Sequence, residues 1–124
     1  MAILKLHEAG LVHLTVSQNV DGLHRRSNLN PKELAELHGN TNLEHCRKCK
    51  REYMRDFRTR ESRKVSDHRT SRMCDDPKCR GQLHDSIINF GENLPDKPLD
   101  KAFDGAEKVQ LAIWNMYHVC ITMF

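Results

Sequence analysis

The sequence predicts an α/β fold interrupted by a small insert of different composition. Three observations predict it. A helix-like opening closed by Gly10 leads into an aliphatic, β-branched run. That run ends in a group of polar residues, as strands do at the ligand-binding edge of open α/β sheets. Two pairs of cysteines then bracket a strongly basic stretch.

The opening "MAILKLHEAG" has apolar residues at Ile3, Leu4 and Leu6 and a glycine at its end, which suits a helix stopped by a C′ glycine. "LVHLTV" (Leu11 to Val16) reads as a short, mostly buried strand. "SQNVDG" comes next and has two readings: Asn19, Asp21 and Gly22 are ordinary turn formers, and the same residues sit where an α/β sheet binds ligands. In "NPKELAELHG", Asn30 is placed as an N-cap, Pro31 at the first helical position and Glu33 in the first turn. Gly39 ends that predicted helix of about two turns, with His38 at its C-terminal edge. "QLHDSIINFGE" predicts a strand through Ile87 and Ile88 that leaves at Gly91, and "KPLDKAFDGAEK" a short amphipathic helix. The final run, Val109 to Phe124, is apolar and free of Asp, Glu, Lys and Arg, but shorter than the roughly 17 to 25 residues of a membrane-spanning helix. It is expected to be a buried or frayed terminus, with Cys120 as a spare thiol.

At 124 residues and a formal net charge of +3, the chain holds one modest domain. Lys5, His7 and Glu8 interrupt the N-terminal apolar patch, so no signal-peptide core is expected there, and the cysteines are expected in a reducing compartment. Cys46 and Cys49 form C-x-x-C, and Cys74 and Cys79 form C-x4-C, with "DDPK" supplying turn residues between the second pair. Two such thiolate pairs provide the four soft ligands of a tetrahedral zinc site. With all four positions filled by protein, that zinc is structural. The alternative is a free redox pair among buried thiols.

Residues 47–72 carry eleven Lys or Arg against four Asp or Glu. A basic stretch of this kind either contacts nucleic acid by counterion release or is a solvated loop. Only Tyr53 and Phe57 are present there as aromatics for stacking on bases.

"SQNVDGLHRRS", "ELHGN", the paired cysteines and "NFGENLP", in that order, resemble the sirtuins, in wording closest to their nuclear class IV branch, over residues 1 to about 108. The resemblance implies an NAD-dependent protein-lysine deacylase that releases nicotinamide and O-acyl-ADP-ribose. It implies an incomplete Rossmann-like parallel sheet over 1–40, a zinc-binding module over 41–85, a return to the sheet domain over 86–108 and a divergent tail over 109–124. Gln18, Asn19, Val20 and Asp21 would line the nicotinamide and ribose pocket. His38 would be the general base that deprotonates a ribose hydroxyl after the acyl oxygen has expelled nicotinamide; free imidazole, titrating at about 6.5, suits that task. Phe90, Gly91 and Glu92 would lie along the acyl-lysine peptide, a histone among the candidate substrates. Nuclear localisation and no membrane partner are implied likewise. The glycines stand at 10, 22, 39, 81, 91 and 105, so no G-x-G cradles a pyrophosphate, and the tail lacks the family's Gly-Ser or Gly-Thr adenosine loop. The chain is therefore expected to be an internal fragment, inactive alone. A zinc-stabilised, non-enzymatic chromatin or nucleic-acid binding module is the alternative.

Overall fold

In the computed structural model, residues 2–108, 111–115 and 119–123 are described. Helix α1 (Ala2–Glu8) packs Ile3 and Leu6 on Val12. Gly10, at φ 69°, takes the left-handed conformation that ends the helix. Leu11 and Val12 both donate their backbone N–H to the Leu6 carbonyl. Those bonds are spent on closing the helix, so strand β1 (Leu14–Ser17) begins later than Leu11. A four-residue helix, α2 (Leu23–Arg26), comes after the polar loop.

The predicted helix after Asn30 is corrected. The cap itself is present, for Asn30 Oδ1 accepts the Lys32 N–H at 3.0 Å, but only one 3-10 turn, Pro31–Glu33, succeeds it. The chain then extends into β2 (Leu34–Glu36), parallel to β1 with Thr15 opposite Leu34 and Ser17 opposite Glu36. Tertiary context overrides local propensity here: Leu34, Ala35 and Glu36 are all buried, and the β1 backbone offers them hydrogen bonds that an isolated two-turn helix lacks.

The first sheet runs β2-β1-β8-β7. Its last members, β7 (Leu111–Asn115) and β8 (Val119–Met123), form an antiparallel hairpin that pairs with β1 through β8. The tail expected to be buried or frayed thus adds two strands, making the sheet mixed. The expectation for the Cys120 thiol lies outside the described side chains. Helix α3 (Asp96–Lys108), the amphipathic helix that the sequence predicts, packs against β2 and β1 of this sheet. A Cβ on Gly105 would come within 2.4 Å of Leu14, so the glycine lets helix and strand approach closely. Lys101 Nζ donates to the carbonyls of Pro31 and Leu34, both at 3.0 Å.

The second sheet is antiparallel, β4-β3-β6-β5, made of β3 (Leu43–Cys46), β4 (Glu52–Met54), β5 (Arg69–Met73) and β6 (Gln82–Asp85). The strand predicted through Ile87 and Ile88 is also corrected, for it ends at Asp85. Asp85 Oδ1 takes the Ile87 N–H at 3.0 Å, and Ser86 turns away to bond the 40–43 segment. The apolar core of this sheet is small: Cys46, Cys74 and Leu83, flanked by Tyr53 and Cys79. A buried carboxylate supplements it. Glu44 accepts from Arg55 Nε at 2.8 Å and from Arg72 Nε at 2.8 Å, while Thr70 closes the network.

Glu44→Gln removes the charge that both arginines face. We expect it to lower stability by about 1.5–3 kcal/mol, the usual worth of charge-assisted hydrogen bonds. The expected signature is a lower urea midpoint at unchanged m-value.

Candidate active site and metal centre

His38 sits just past β2, and its Nδ1 lies 3.1 Å from the carbonyl oxygen of Gln18. A carbonyl accepts only, so Nδ1 carries the proton and, in the neutral ring, Nε2 presents a lone pair. The polar loop and the histidine are fastened elsewhere too. The Thr41 N–H donates to the Val20 carbonyl at 2.8 Å, and the Asn19 N–H to Ser17 Oγ at 3.1 Å. Asp21 Oδ1 takes the Leu23 N–H at 3.0 Å, so the turn-former reading of that residue holds alongside any ligand role. Among the described residues, neither the side-chain amide of Gln18 nor that of Asn19 has a hydrogen-bond partner, and neither does His38 Nε2.

The "HGN" residues lock this arrangement. Gly39 is at φ 79°, and a Cβ there would fall 1.7 Å from the Ser86 carbonyl oxygen. Asn40 is fully buried. Its Nδ2 donates to Glu36 Oε1 at 2.8 Å, its Oδ1 accepts from the Asn42 N–H at 2.9 Å, and it packs against Gly22, where an added Cβ would lie 2.8 Å from its Oδ1. Glu36 is also held by Arg25 Nε at 2.7 Å; burial pushes its carboxyl above the ordinary range, against the pull of Arg25 and Asn40. Arg25 reaches onward to Glu52 at 2.9 Å, joining the two sheets. Sequence reasoning missed Arg25, Glu36 and Ser86. Their signal is weak because the pairing of Arg25 with Glu36 and of Ser86 with Asn40 joins residues 11 and 46 positions apart.

Phe90, Gly91 and Glu92 form a turn rather than a strand edge, with Phe90 fully exposed and Gly91 at φ 85°. The segment before them is tied to the histidine, since the Ile88 N–H donates to the His38 carbonyl at 3.1 Å. A cavity of about 670 Å³ lies between β2 and α3 on one side and β3 and β6 on the other. Gly39, Ser86, Ile87 and Ile88 line it; His38 and residues 18–21 do not.

The four predicted cysteines converge. Their Sγ atoms all lie within 4.8 Å of one another, with Cys46 to Cys79 at 3.5 Å and Cys49 to Cys74 at 3.6 Å. A tetrahedron with metal–sulfur bonds of ~2.3 Å has edges of ~3.8 Å, so the donor set fits zinc. Lys50 at φ 63° turns the first knuckle, and Asp76 organises the second by accepting the Lys78, Cys79 and Arg80 N–H groups. Gly81 gives the sulfurs room: a Cβ there would meet Cys46 Sγ at 2.7 Å. The Cys49 N–H draws the Cys46 thiol down to about 6. Against the pull of the Gly81 backbone, burial and the neighbouring sulfurs push Cys79 up to about 12. Tyr53, considered above for base stacking, instead bonds Cys74 Sγ at 3.0 Å while its oxygen accepts the Asp75 N–H.

The Sir2 family profile matches residues 1–115. The chain is 39% identical over 113 residues to the NAD-dependent protein deacetylase SRT1 of Arabidopsis thaliana, covering 91% of this chain and 23% of that protein. It is 49% identical over 94 residues to the NAD-dependent protein deacetylase sirtuin-7 of Bos taurus, covering 74% of this chain and 23% of that protein. Among solved structures it resembles a Sir2 homologue in complex with NAD, at 28% identity and a TM-score of 0.54, covering 83% of this chain and 36% of the other. The chain thus spans about a quarter of the length of these two curated relatives.

Gly39→Ala tests the lock. A left-handed φ and a contact with backbone that cannot swing aside should together cost about 2–4 kcal/mol. Chemical denaturation reads that loss; an unchanged midpoint would mean the Ser86 carbonyl does not lie against residue 39.

Proposed function

Because the chain belongs to the Sir2 family, we propose that it carries the nicotinamide-side loop, the general base and the zinc module of an NAD-dependent protein-lysine deacylase. The observation that carries this is the meeting of His38 with the Gln18–Asp21 loop through the Gln18 carbonyl, with Nε2 and the Gln18 and Asn19 amides left without a hydrogen-bond partner among the described residues. Gln18, Asn19, Val20 and Asp21 contact the nicotinamide and its ribose. His38 Nε2 takes the proton of a ribose hydroxyl as that oxygen attacks the acyl carbon. Phe90, Gly91 and Glu92 border the acyl-lysine peptide, for which a histone is one candidate, and their support is the bond from Ile88 to the His38 carbonyl. We read residues 1–40 and 86–108 as the nucleotide-binding part and 41–85 as the metal module. A nuclear location is supported by the likeness of the motifs to the nuclear branch; no described helix is long and apolar enough to cross a membrane.

The metal module holds one structural zinc through Cys46, Cys49, Cys74 and Cys79. Its part is to replace a core too small to hold the sheet, and structural zinc contributes on the order of 10 kcal/mol to such folds. Nucleic-acid contact through residues 47–72 is the weaker reading. Arg51, Arg55, Arg60, Arg69 and Arg72 are each in an ion pair within the chain, which leaves much of the compositional charge already neutralised.

Metal analysis should find one zinc per chain, and Cys46→Ser should release it with loss of the second sheet's circular-dichroism signal. Folded protein without zinc would contradict the assignment. For the chemistry, calorimetry should show NAD binding weakened at least about tenfold by Asn19→Ala, the scale of one lost hydrogen bond. Any release of nicotinamide in step with deacylation should fall about 100- to 10,000-fold with His38→Ala, the usual contribution of a general base. Equal turnover by that variant would remove His38 from the reaction.

A further inference from the structure

His68 has carboxylates on both of its ring nitrogens. Nδ1 lies 3.2 Å from Asp85 Oδ1, and Nε2 lies 2.9 Å from Glu92 Oε1. A neutral imidazole has one N–H and one lone pair, so it can donate to only one of them and would turn its lone pair on the other. Both carboxylates are otherwise engaged as acceptors. Asp85 is buried and takes the Ile87 N–H on the oxygen that faces His68; Glu92 Oε2 takes both the backbone N–H and the side-chain amide of Asn89, at 2.6 and 2.9 Å. The backbone repeats the link, for the Asp85 N–H donates to the His68 carbonyl at 2.8 Å.

We infer that His68, as an imidazolium, is a positioning residue that clamps the metal module onto the 89–92 turn and thereby fixes the segment whose Ile88 N–H bonds the His38 carbonyl. The clamp itself rests on no reaction; its bearing on His38 and on the acyl-lysine peptide rests on the deacylase reading above. Its surroundings favour the cation. Asp85 and Glu92 face the ring directly and outweigh the one opposing charge, Arg60, whose Nη1 stands 3.7 Å from the same Asp85 oxygen. Arg69 is matched by Asp67 at 3.0 Å, and His84, on β6 nearby, is held below its ordinary value by burial and by Arg47 and His68. Against the cost of burial, the bonds to Glu92 and Asp85 hold His68 above its ordinary value. Against the same cost, Asn89 and His68 hold Glu92 down to about 2. A raised folded value means that the clamp stabilises the turn fully below the free value of about 6.5 and is lost as pH rises through the folded value.

The test uses the zinc-loaded 124-residue chain and nitrogen–proton NMR spectra of its histidine rings, recorded from about pH 5 to about pH 9 around the free imidazole value. Both His68 nitrogens should carry protons at neutral pH, with a midpoint above that of a free imidazole. Glu92→Gln replaces the charge with an amide that can donate to a neutral Nε2. It should lower the midpoint by about one unit, a tenfold fall in proton affinity. It should also make hydrogen-exchange protection of residues 86–92, corrected for intrinsic rates, independent of pH. His68→Ala should reduce that protection about tenfold below the midpoint while zinc content stays at one per chain. A singly protonated ring at neutral pH, or a midpoint unmoved by Glu92→Gln, would overturn the clamp. Should His68→Ala fail to fold, the titration of the wild type and of Glu92→Gln decides the matter alone. An intact clamp titration in a protein indifferent to His38→Ala would sink the deacylase reading and leave the clamp standing.

Discussion

The space that Gly39 leaves for the Ser86 carbonyl is the constraint on which the rest of the site depends. With no Cβ in the way, the chain leaving the second sheet lies directly on the turn leaving the first. Ser86 Oγ then accepts the Asn40 N–H and sits 3.0 Å from the carbonyls of Asn40 and Leu43, so the contact is polar as well as steric. From Asn40 the order passes through Glu36 to Arg25 and on to Glu52. Buried polar groups are costly unless every partner is in place, which makes this chain of bonds a specification of one geometry more than a source of stability.

The second sheet solves a different problem. A cluster of Cys46, Cys74 and Leu83, with Leu43 buried beside it on β3, cannot offset the conformational entropy of ordering four strands, so the sheet draws on Glu44 and its arginines and on the cysteine cluster. Arg55 and Arg72 also lie over the rings of Tyr53 and Phe57, at 5.0 and 5.2 Å from the ring centres. Five of the eleven cations in residues 47–72 are paired within the chain, two of them to the buried Glu44.

How much was legible in the sequence depends on how local each signal is. The cysteine pairs, the Gly10 stop, the Asn30 cap and helix α3 are set by residues within a few positions of one another, and each appears as read. The Asn30 cap misled in its length, because the path of the chain beyond it is decided by β1, whose open backbone recruits Leu34 to Glu36 as a parallel strand. The end of β6 was hidden for the same reason: Ile87 and Ile88 have strand character, but Asp85 and Ser86 take their hydrogen bonds elsewhere. At the site, the motif residues were readable and their supports were not. Arg25, Ser86 and His68 look like ordinary surface polar residues until the fold brings their partners to them.

Among the described residues, His38 is oriented by a backbone carbonyl and by no carboxylate. This matters for how the site tolerates change. A carbonyl at the end of β1 is placed by the strand ladder and by the Leu37 N–H, which donates to the neighbouring Ser17 carbonyl at 2.9 Å. The ring's tautomer is therefore set by the main chain, and the Gln18 side chain is left free of any structural duty toward the ring. The Gln18 backbone holds the histidine, while its side-chain amide has no hydrogen-bond partner among the described residues. Changes in the main chain around residues 17–18 and 37–40 should therefore disturb the His38 ring, whereas side-chain changes at position 18 should leave its orientation intact.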